Sequence, residues 1–146
     1  MTVLLADTIV DRCFRELVVS AAQDMGVLAG VNVSVGDYMV TGKTEVPLEG
    51  YQVLVVPLPR KAGIAATTTP ALQSGGWISA AWVAYSPGAT CDSHWKSVIM
   101  HEFGHVYGLS DTRNNSRSLM SWSSIEGREL RPWELAHLRR RIFNAP

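Results

Sequence analysis

The chain has 146 residues, of which 47% are apolar and 18% charged, values typical of one soluble globular domain with a buried core. Thirteen Lys and Arg residues balance thirteen Asp and Glu residues, and this zero net charge argues against a nucleic-acid-binding or membrane-surface protein. No apolar run approaches the roughly 20 residues of a membrane-spanning helix, and residues 1–7 lack the basic segment of a signal peptide.

The location therefore stays open between an intracellular setting, a phage-type setting and a secreted mature form.

Cys13 and Cys91 lie far apart and form neither a C-x-x-C motif nor a zinc-finger spacing. Two buried thiols are the simpler interpretation. The alternative is a disulfide that joins the first predicted helix, around Cys13, to the segment around Cys91, which precedes a later predicted helix.

The first part of the chain predicts a strand, a helix and two further strands. Residues 3–5 are a short apolar run, and apolar residues then recur every three or four positions in a helix that Gly26 is expected to end. Alternating valines predict a strand at residues 31–35, and residues 53–56 are a β-branched run typical of a strand buried on both faces. This order favours a mostly parallel sheet with a crossover helix.

Two more strands are predicted at residues 63–70 and 76–85. The first is rich in small and polar residues and is bounded by glycine and proline. Such a composition suits an exposed strand at the edge of a sheet.

The next helix carries the chemistry, in the segment H-E-F-G-H-V-Y-G-L-S-D at residues 101–111. Residues four apart share a helix face, so His101 and His105 can direct ring nitrogens at one zinc ion, at about 2.0–2.1 Å each. Glu102 lies about 100° round the helix, where it reaches a water molecule beside the ion without ligating it. Gly108 can end the helix and reverse the chain, which brings Asp111 in as a third ligand. Three protein ligands with one open position describe a catalytic zinc site, whereas a structural site has four.

After this segment, residues 112–127 read as an irregular loop that contains Ser-Leu-Met-Ser at 118–121, and Pro132 suits the start of a last helix. The pattern H-E-x-x-H-x-x-G-x-x-D with this downstream methionine resembles the metzincin clan of zinc endopeptidases. The aspartate as third ligand is similar to the snapalysin-like branch of the clan. Met120 would match the methionine of the clan's Met-turn, which implies an apolar floor under the zinc.

The resemblance implies an α/β (α+β) fold: a single zincin-like domain over residues 1–146. Its mixed, mostly parallel twisted sheet would have one antiparallel edge strand. An N-terminal helix and the zinc-binding helix would pack on this sheet, with a C-terminal helix added.

The implied function is that of a zinc metalloendopeptidase with one Zn²⁺ per chain. Glu102 would act as general base and general acid in the attack of a metal-activated water on a peptide bond. A peptide or protein substrate would lie along the edge strand, and Trp122 replaces a tyrosine that several metzincin families carry two residues after the Met. A monomer without nucleic-acid or membrane partners is expected. The candidate substrate contacts are Gly63, Ile64, Ala65, Ala66 and Trp122.

Three alternatives stay open. A downstream glutamate, Glu126, Glu129 or Glu134, could replace Asp111 as the third ligand, as in other zincins. A non-catalytic binding or structural domain could retain the metal site as a relic. The protein could also hold no metal.

Overall fold

The computed structural model describes residues 1–40, 51–58, 64–74, 77–113, 117–121 and 128–143, with only the backbone described at 71–74, 77–79 and 139–143. In these ranges the helices and strands are, in chain order, β1 (Thr2–Ala6), α1 (Arg12–Ala29), β2 (Ser34–Tyr38), β3 (Gln52–Pro57), β4 (Ala66–Ser74), β5 (Trp77–Tyr85), α2 (Ser93–Val106) and α3 (Pro132–Phe143).

The strands form one five-stranded sheet in the order β2-β1-β3-β5-β4. All neighbouring pairs are parallel except β4 and β5, which pair antiparallel and place β4 at the edge. The predicted mixed, mostly parallel sheet with one antiparallel edge strand is therefore confirmed. Strand β4 begins at Ala66, three residues after the predicted start.

The core lies between this sheet and the helices. Both α1 and α2 pack against the sheet and against each other, and α3 contacts α1. Residues 53–55 of β3 are buried, as expected for a central strand with both faces covered. On α2, Ile99, Phe103 and Val106 form a buried apolar face, and full burial stabilises side chains of this size by about 1.5–3 kcal/mol each. No helix in the described part of the chain is both long and apolar enough to span a membrane.

The C-terminal end of α1 differs from the prediction. The helix continues past Gly26 to Ala29, and Gly30, with φ +71°, is the residue that ends it. Backbone N–H groups of Gly30 and Val31 donate to the carbonyls of Val27 and Gly26, the two bonds of a Schellman motif. Gly26 has a different role, because a Cβ there would lie 2.8 Å from the carbonyl oxygen of Val31. The absence of a side chain at Gly26 lets the returning chain pack against the helix.

The two cysteines form a disulfide, with Cα atoms 5.8 Å apart. The interpretation of Cys13 and Cys91 as two buried thiols was wrong. Cys13 lies in the first turn of α1 and Cys91 directly precedes Asp92, the N-cap of α2. The packing of the two helices brings these distant positions together.

Candidate metal centre

Helix α2 carries His101 and His105 four residues apart, on one face, and ends one residue after His105. Asp92 caps its N-terminus, with a side-chain oxygen that accepts from the N–H of Trp95. The helix ends at Val106, and Gly108 follows with φ +83°, a conformation that favours glycine. The N–H of Leu109 then donates to the carbonyl of Gly104 at 3.0 Å, so the chain turns back along the helix.

This turn brings Asp111 to the two histidines of α2. Asp111 Oδ1 lies 3.1 Å from His101 Nε2 and 3.3 Å from His105 Nε2. The two Nε2 atoms are 3.1 Å apart. Within the described ranges, no other group of three or more His, Cys, Asp or Glu side chains is placed to hold an ion.

The hydrogen bonds of the two rings show why these atoms suit a cation. His101 Nδ1 lies 2.8 Å from the carbonyl oxygen of Leu119, and His105 Nδ1 lies 2.8 Å from that of Leu109. Because a carbonyl only accepts, each Nδ1 carries the ring hydrogen and each Nε2 has a free lone pair. Three electron-rich atoms therefore converge, the third being the Asp111 carboxylate oxygen. Ligands of a tetrahedral ion at 2.0–2.1 Å would be about 3.3 Å from one another, so the spacing fits zinc.

The site is closed on the helix side and open on the loop side. The side chain of His101 is 9% exposed, that of His105 23% and that of Asp111 51%. Because the exposed fraction increases from His101 to Asp111, a fourth ligand position beyond Asp111 would face solvent. The arrangement resembles an open zinc site with three protein ligands more than a closed structural site.

Glu102 is buried beside this group but is not part of it. The hydroxyl of Thr68, on strand β4, donates to Glu102 Oε2 at 2.6 Å. Burial raises the pKa of the Glu102 carboxyl, while the Thr68 hydrogen bond acts in the opposite direction. A buried carboxyl with a raised pKa is a better proton acceptor than an ordinary exposed carboxylate.

The segment 118–121 lies under α2 and connects to both sides of the site. Met120 is fully buried, and a Cβ added at Gly104 would overlap its sulfur atom. The carbonyl of Met120 accepts from the N–H of Thr112, next to Asp111, at 2.7 Å. Because the carbonyl of Leu119 accepts from His101, one short turn supports ligands on both the helix and the loop.

The glutamate alternatives find no support in the described residues. Glu134 is buried in the first turn of α3, where Oε2 accepts from the N–H of Arg131 at 2.6 Å and Oε1 accepts from the hydroxyl of Ser118. Neither Glu134 nor Glu129 belongs to the metal-binding group. Glu126 lies outside the described residues.

The predicted substrate contacts are placed only in part. Ala66 is the first residue of β4 and pairs with Tyr85, and the exposed residues Ile64 and Ala65 precede it. Gly63 and Trp122 lie outside the described residues. The role of these five residues in binding stays a prediction.

Sequence reasoning missed the supports of the site. Ligating histidines usually donate their second ring N–H to an oxygen, but no sequence signal identifies Leu109 and Leu119 as the acceptors. Thr68 lies 34 positions before Glu102, and no sequence signal identifies it as the partner of that carboxylate. Glu134 had a signal, because a glutamate two residues after an N-terminal proline matches the third helical position of a capping box.

Comparisons with known proteins support the fold. No protein-family model matches the sequence, and no curated protein matches it. Among solved structures, the chain is similar to archaemetzincin from Methanopyrus kandleri, with a TM-score of 0.67 and 12% sequence identity over 98% of this chain and 95% of that chain. The zincin-like fold is thereby confirmed. At this identity the similarity shows the fold alone, and membership of the snapalysin-like branch stays a prediction.

Proposed function

We propose that this protein is a zinc-dependent metalloendopeptidase. The observation that carries the proposal is the convergence of His101 Nε2, His105 Nε2 and Asp111 Oδ1 at 3.1–3.3 Å. Two imidazoles and one carboxylate are a donor set suited to zinc. The fold supports the proposal because archaemetzincin, its structural neighbour, bears the name of the clan that the motif resembles.

A bound zinc ion would polarise a water molecule and the carbonyl of a peptide bond. Glu102 takes a proton from the attacking water and returns it to the leaving amine, which requires a carboxyl that can exist in both forms. Its burial beside the proposed ligands favours this exchange, because burial raises the pKa of the carboxyl above its usual range and so favours uptake of the proton. Met120 fills the space under the site and keeps water from that side.

The substrate is a peptide in extended conformation that adds to the edge strand β4. An edge strand has one row of unpaired backbone groups, which bind a peptide of any sequence, and side-chain pockets then select among sequences. Residues 64 and 65, which precede this strand, are exposed, and Ala66, its first residue, is partly exposed. They are the proposed contacts of the substrate backbone.

The test combines metal content with peptidase activity. We expect about one zinc per chain by mass spectrometry, hydrolysis of an unfolded protein such as casein, loss of hydrolysis with a chelator and recovery with added zinc. Glu102→Gln should retain zinc and lose activity by a factor of about 10²–10⁴, the usual contribution of general acid–base catalysis.

Glu16→Gln is the matched control, because it neutralises an exposed carboxylate on α1 that pairs only with Arg12 in the described structure. Its activity should stay within about twofold of wild type, since exposed pairs of this kind contribute little. A zinc-loaded wild type that is as inert as Glu102→Gln would contradict the proposal and favour a binding domain with a retained site. Absence of bound metal at micromolar zinc would contradict the metal site itself.

A further inference from the structure

Thr68, on the edge strand β4, is hydrogen-bonded to Glu102 on helix α2. Its Oγ1 lies 2.6 Å from Oε2 of Glu102 and 3.0 Å from the main-chain oxygen of the same residue. Thr68 is an internal residue of β4, paired with Val83 of β5. Both ends of the contact are therefore held, one by strand pairing and the other by the α2 helix.

We propose that Thr68 is the positioning residue of Glu102. This inference rests on the proposed peptidase function and extends it to a residue outside the H-E-x-x-H segment. The hydroxyl binds Oε2, fixes the orientation of the carboxylate, and leaves Oε1 as the oxygen that takes the proton from water. A hydrogen bond from a hydroxyl to a buried carboxylate is charge-assisted and short, so it can hold a side chain that has three rotatable bonds.

Orientation matters because proton transfer requires near-attack geometry. A displacement of about 1 Å in a catalytic group can reduce the rate by about 10²-fold. Successive side chains of a strand point to opposite faces, so Thr67 and Thr69 do not share the direction of Thr68. The T-T-T run therefore has one member that faces α2, and that member contacts Glu102.

The contact also links substrate seating to proton transfer. The strand that would receive the peptide is the same strand that orients Glu102. Strand β4 would then both bind the peptide and orient the Glu102 carboxylate. The inference predicts that the loss of the Thr68 hydroxyl lowers kcat more than it raises KM.

The first experiment compares three variants, each loaded with zinc. Thr68→Val keeps the shape and β-branching of the side chain but removes the hydroxyl, and we expect kcat to fall by a factor of about 10–100 with KM within about twofold. Thr68→Ser restores the hydroxyl, and its kcat should lie within about threefold of wild type. Thr2→Val is the matched control. It removes the hydroxyl of a threonine on β1, away from the site, which lies 3.0 Å from the hydroxyl of Ser34 on β2.

The second experiment detects the contact without any activity. Thermal unfolding of zinc-loaded protein is measured for wild type, Thr68→Val, Glu102→Ala and the double variant. Thr68→Val should lower Tm by about 2–6 °C in the wild-type background, because a buried carboxylate loses its donor. In the Glu102→Ala background the same change should shift Tm by less than about half as much, since the carboxylate partner is already gone.

The outcomes separate this inference from the proposed function. An active wild type with a Thr68→Val variant as active as Thr2→Val overturns the positioning role and leaves the peptidase intact. Equal Tm shifts in the two backgrounds also overturn it. A zinc-loaded wild type that hydrolyses no peptide overturns the function and, with it, any role of Thr68 in proton transfer. Low kcat in Thr68→Val, recovery in Thr68→Ser and coupled Tm shifts support it.

Discussion

At the scale of single residues, the proposed ligands differ in how firmly they are held. The carbonyls of Leu119 and Leu109 fix the rings of His101 and His105, whereas Asp111 is half exposed and reaches the site from a loop. Fixed rings present their Nε2 atoms with little loss of conformational entropy on binding. The aspartate therefore decides whether a pair of histidines becomes a three-ligand site.

We accordingly predict that Asp111→Ala lowers zinc affinity by a factor of at least about 100, more than the usual effect of losing a residue that only supports a ligand. The measurement is competition with a chromophoric chelator. Asp24→Ala is the matched control, because Asp24 is an exposed aspartate whose carboxylate pairs with Lys96 on the surface. Unchanged zinc affinity in Asp111→Ala would mean that another residue completes the site.

Gly104 is a second residue whose substitution should behave unusually. In an ordinary helix interior, Gly→Ala stabilises by about 0.5–1 kcal/mol. Here the new Cβ would overlap the sulfur of Met120, which is fully buried and must move for the methyl group to fit. We expect Gly104→Ala to destabilise the protein by about 1–3 kcal/mol, as overpacking does.

The check is a double-mutant cycle by urea unfolding. Met120→Ala alone should cost about 2–5 kcal/mol through the cavity that it leaves. If Gly104 and Met120 are in direct conflict in the first variant, the double variant should cost clearly less than the sum of the two. Additive costs would show that the methyl group at Gly104 is accommodated elsewhere.

At the scale of elements, α3 supports the candidate metal site, although none of its described side chains belongs to the group of His101, His105 and Asp111. The carboxylate of Glu134 caps its own helix at Arg131 and accepts from Ser118, whose hydroxyl oxygen also accepts from the N–H of Met120 at 2.9 Å. The buried carboxylate thus joins the start of α3 to the turn under His101.

We predict that Glu134→Ala destabilises the protein by about 2–4 kcal/mol, since it leaves buried donors without an acceptor. The turn would also be released, and zinc affinity should fall by about tenfold, as for other residues that support ligands. Urea unfolding and chelator competition measure the two effects. The exposed Glu129→Ala is the control and should stay within about 0.5 kcal/mol of wild type. A Glu134→Ala variant with normal stability would contradict the role of the turn.

Elements defined by local chemistry could be predicted from sequence. The helix from the Asp92 cap to the glycine turn at Gly108 follows from capping, apolar period and a residue that tolerates positive φ. The central strand at residues 53–56 follows from its β-branched run. These signals lie within a few residues, so no tertiary contact is needed to interpret them.

Elements that depend on tertiary contacts could not be predicted. Gly26 and Gly30 both suit a helix end, and only the return of the chain at Val31 shows which one takes it. Hydrophobicity alone predicts that α3 buries Trp133 and exposes the neighbouring Glu134. Trp133 is instead exposed, and Glu134 is buried because Ser118 and the start of the helix bind its carboxylate. Polar partners from another segment reversed the expected faces.

At the scale of the whole molecule, the disulfide joins the start of α1 to the residue before the N-cap of α2, across 78 residues. Closing a loop of this length lowers the entropy of the unfolded chain, which corresponds to about 4.5 kcal/mol at 25 °C in the chain-entropy model. We predict that the Cys13→Ser/Cys91→Ser double variant has a Tm lower by about 10 °C. Wild type in strong reductant should show a similar decrease, and the double variant should not respond to reductant. Equal Tm values with and without the disulfide would contradict this account.

Metal binding and folding should be coupled, because the three proposed ligands converge only when the helix, the turn at Gly108 and the loop after it are formed. The proposed ligands come from α2 and the loop after Gly108, and the turn at 118–121 orients one of them, so an unfolded chain does not present the three donor atoms together.

A ligand that binds only the folded state stabilises it by RT ln(1 + [L]/Kd), which is about 2.7 kcal/mol at a hundredfold excess over Kd. Zinc at that excess should raise the Tm of wild type by roughly 5–10 °C over chelated protein. Asp111→Ala should show less than about a quarter of this increase at the same zinc concentration, since its affinity is lower by the factor predicted above. Equal increases in the two proteins would place the stabilising metal outside His101, His105 and Asp111.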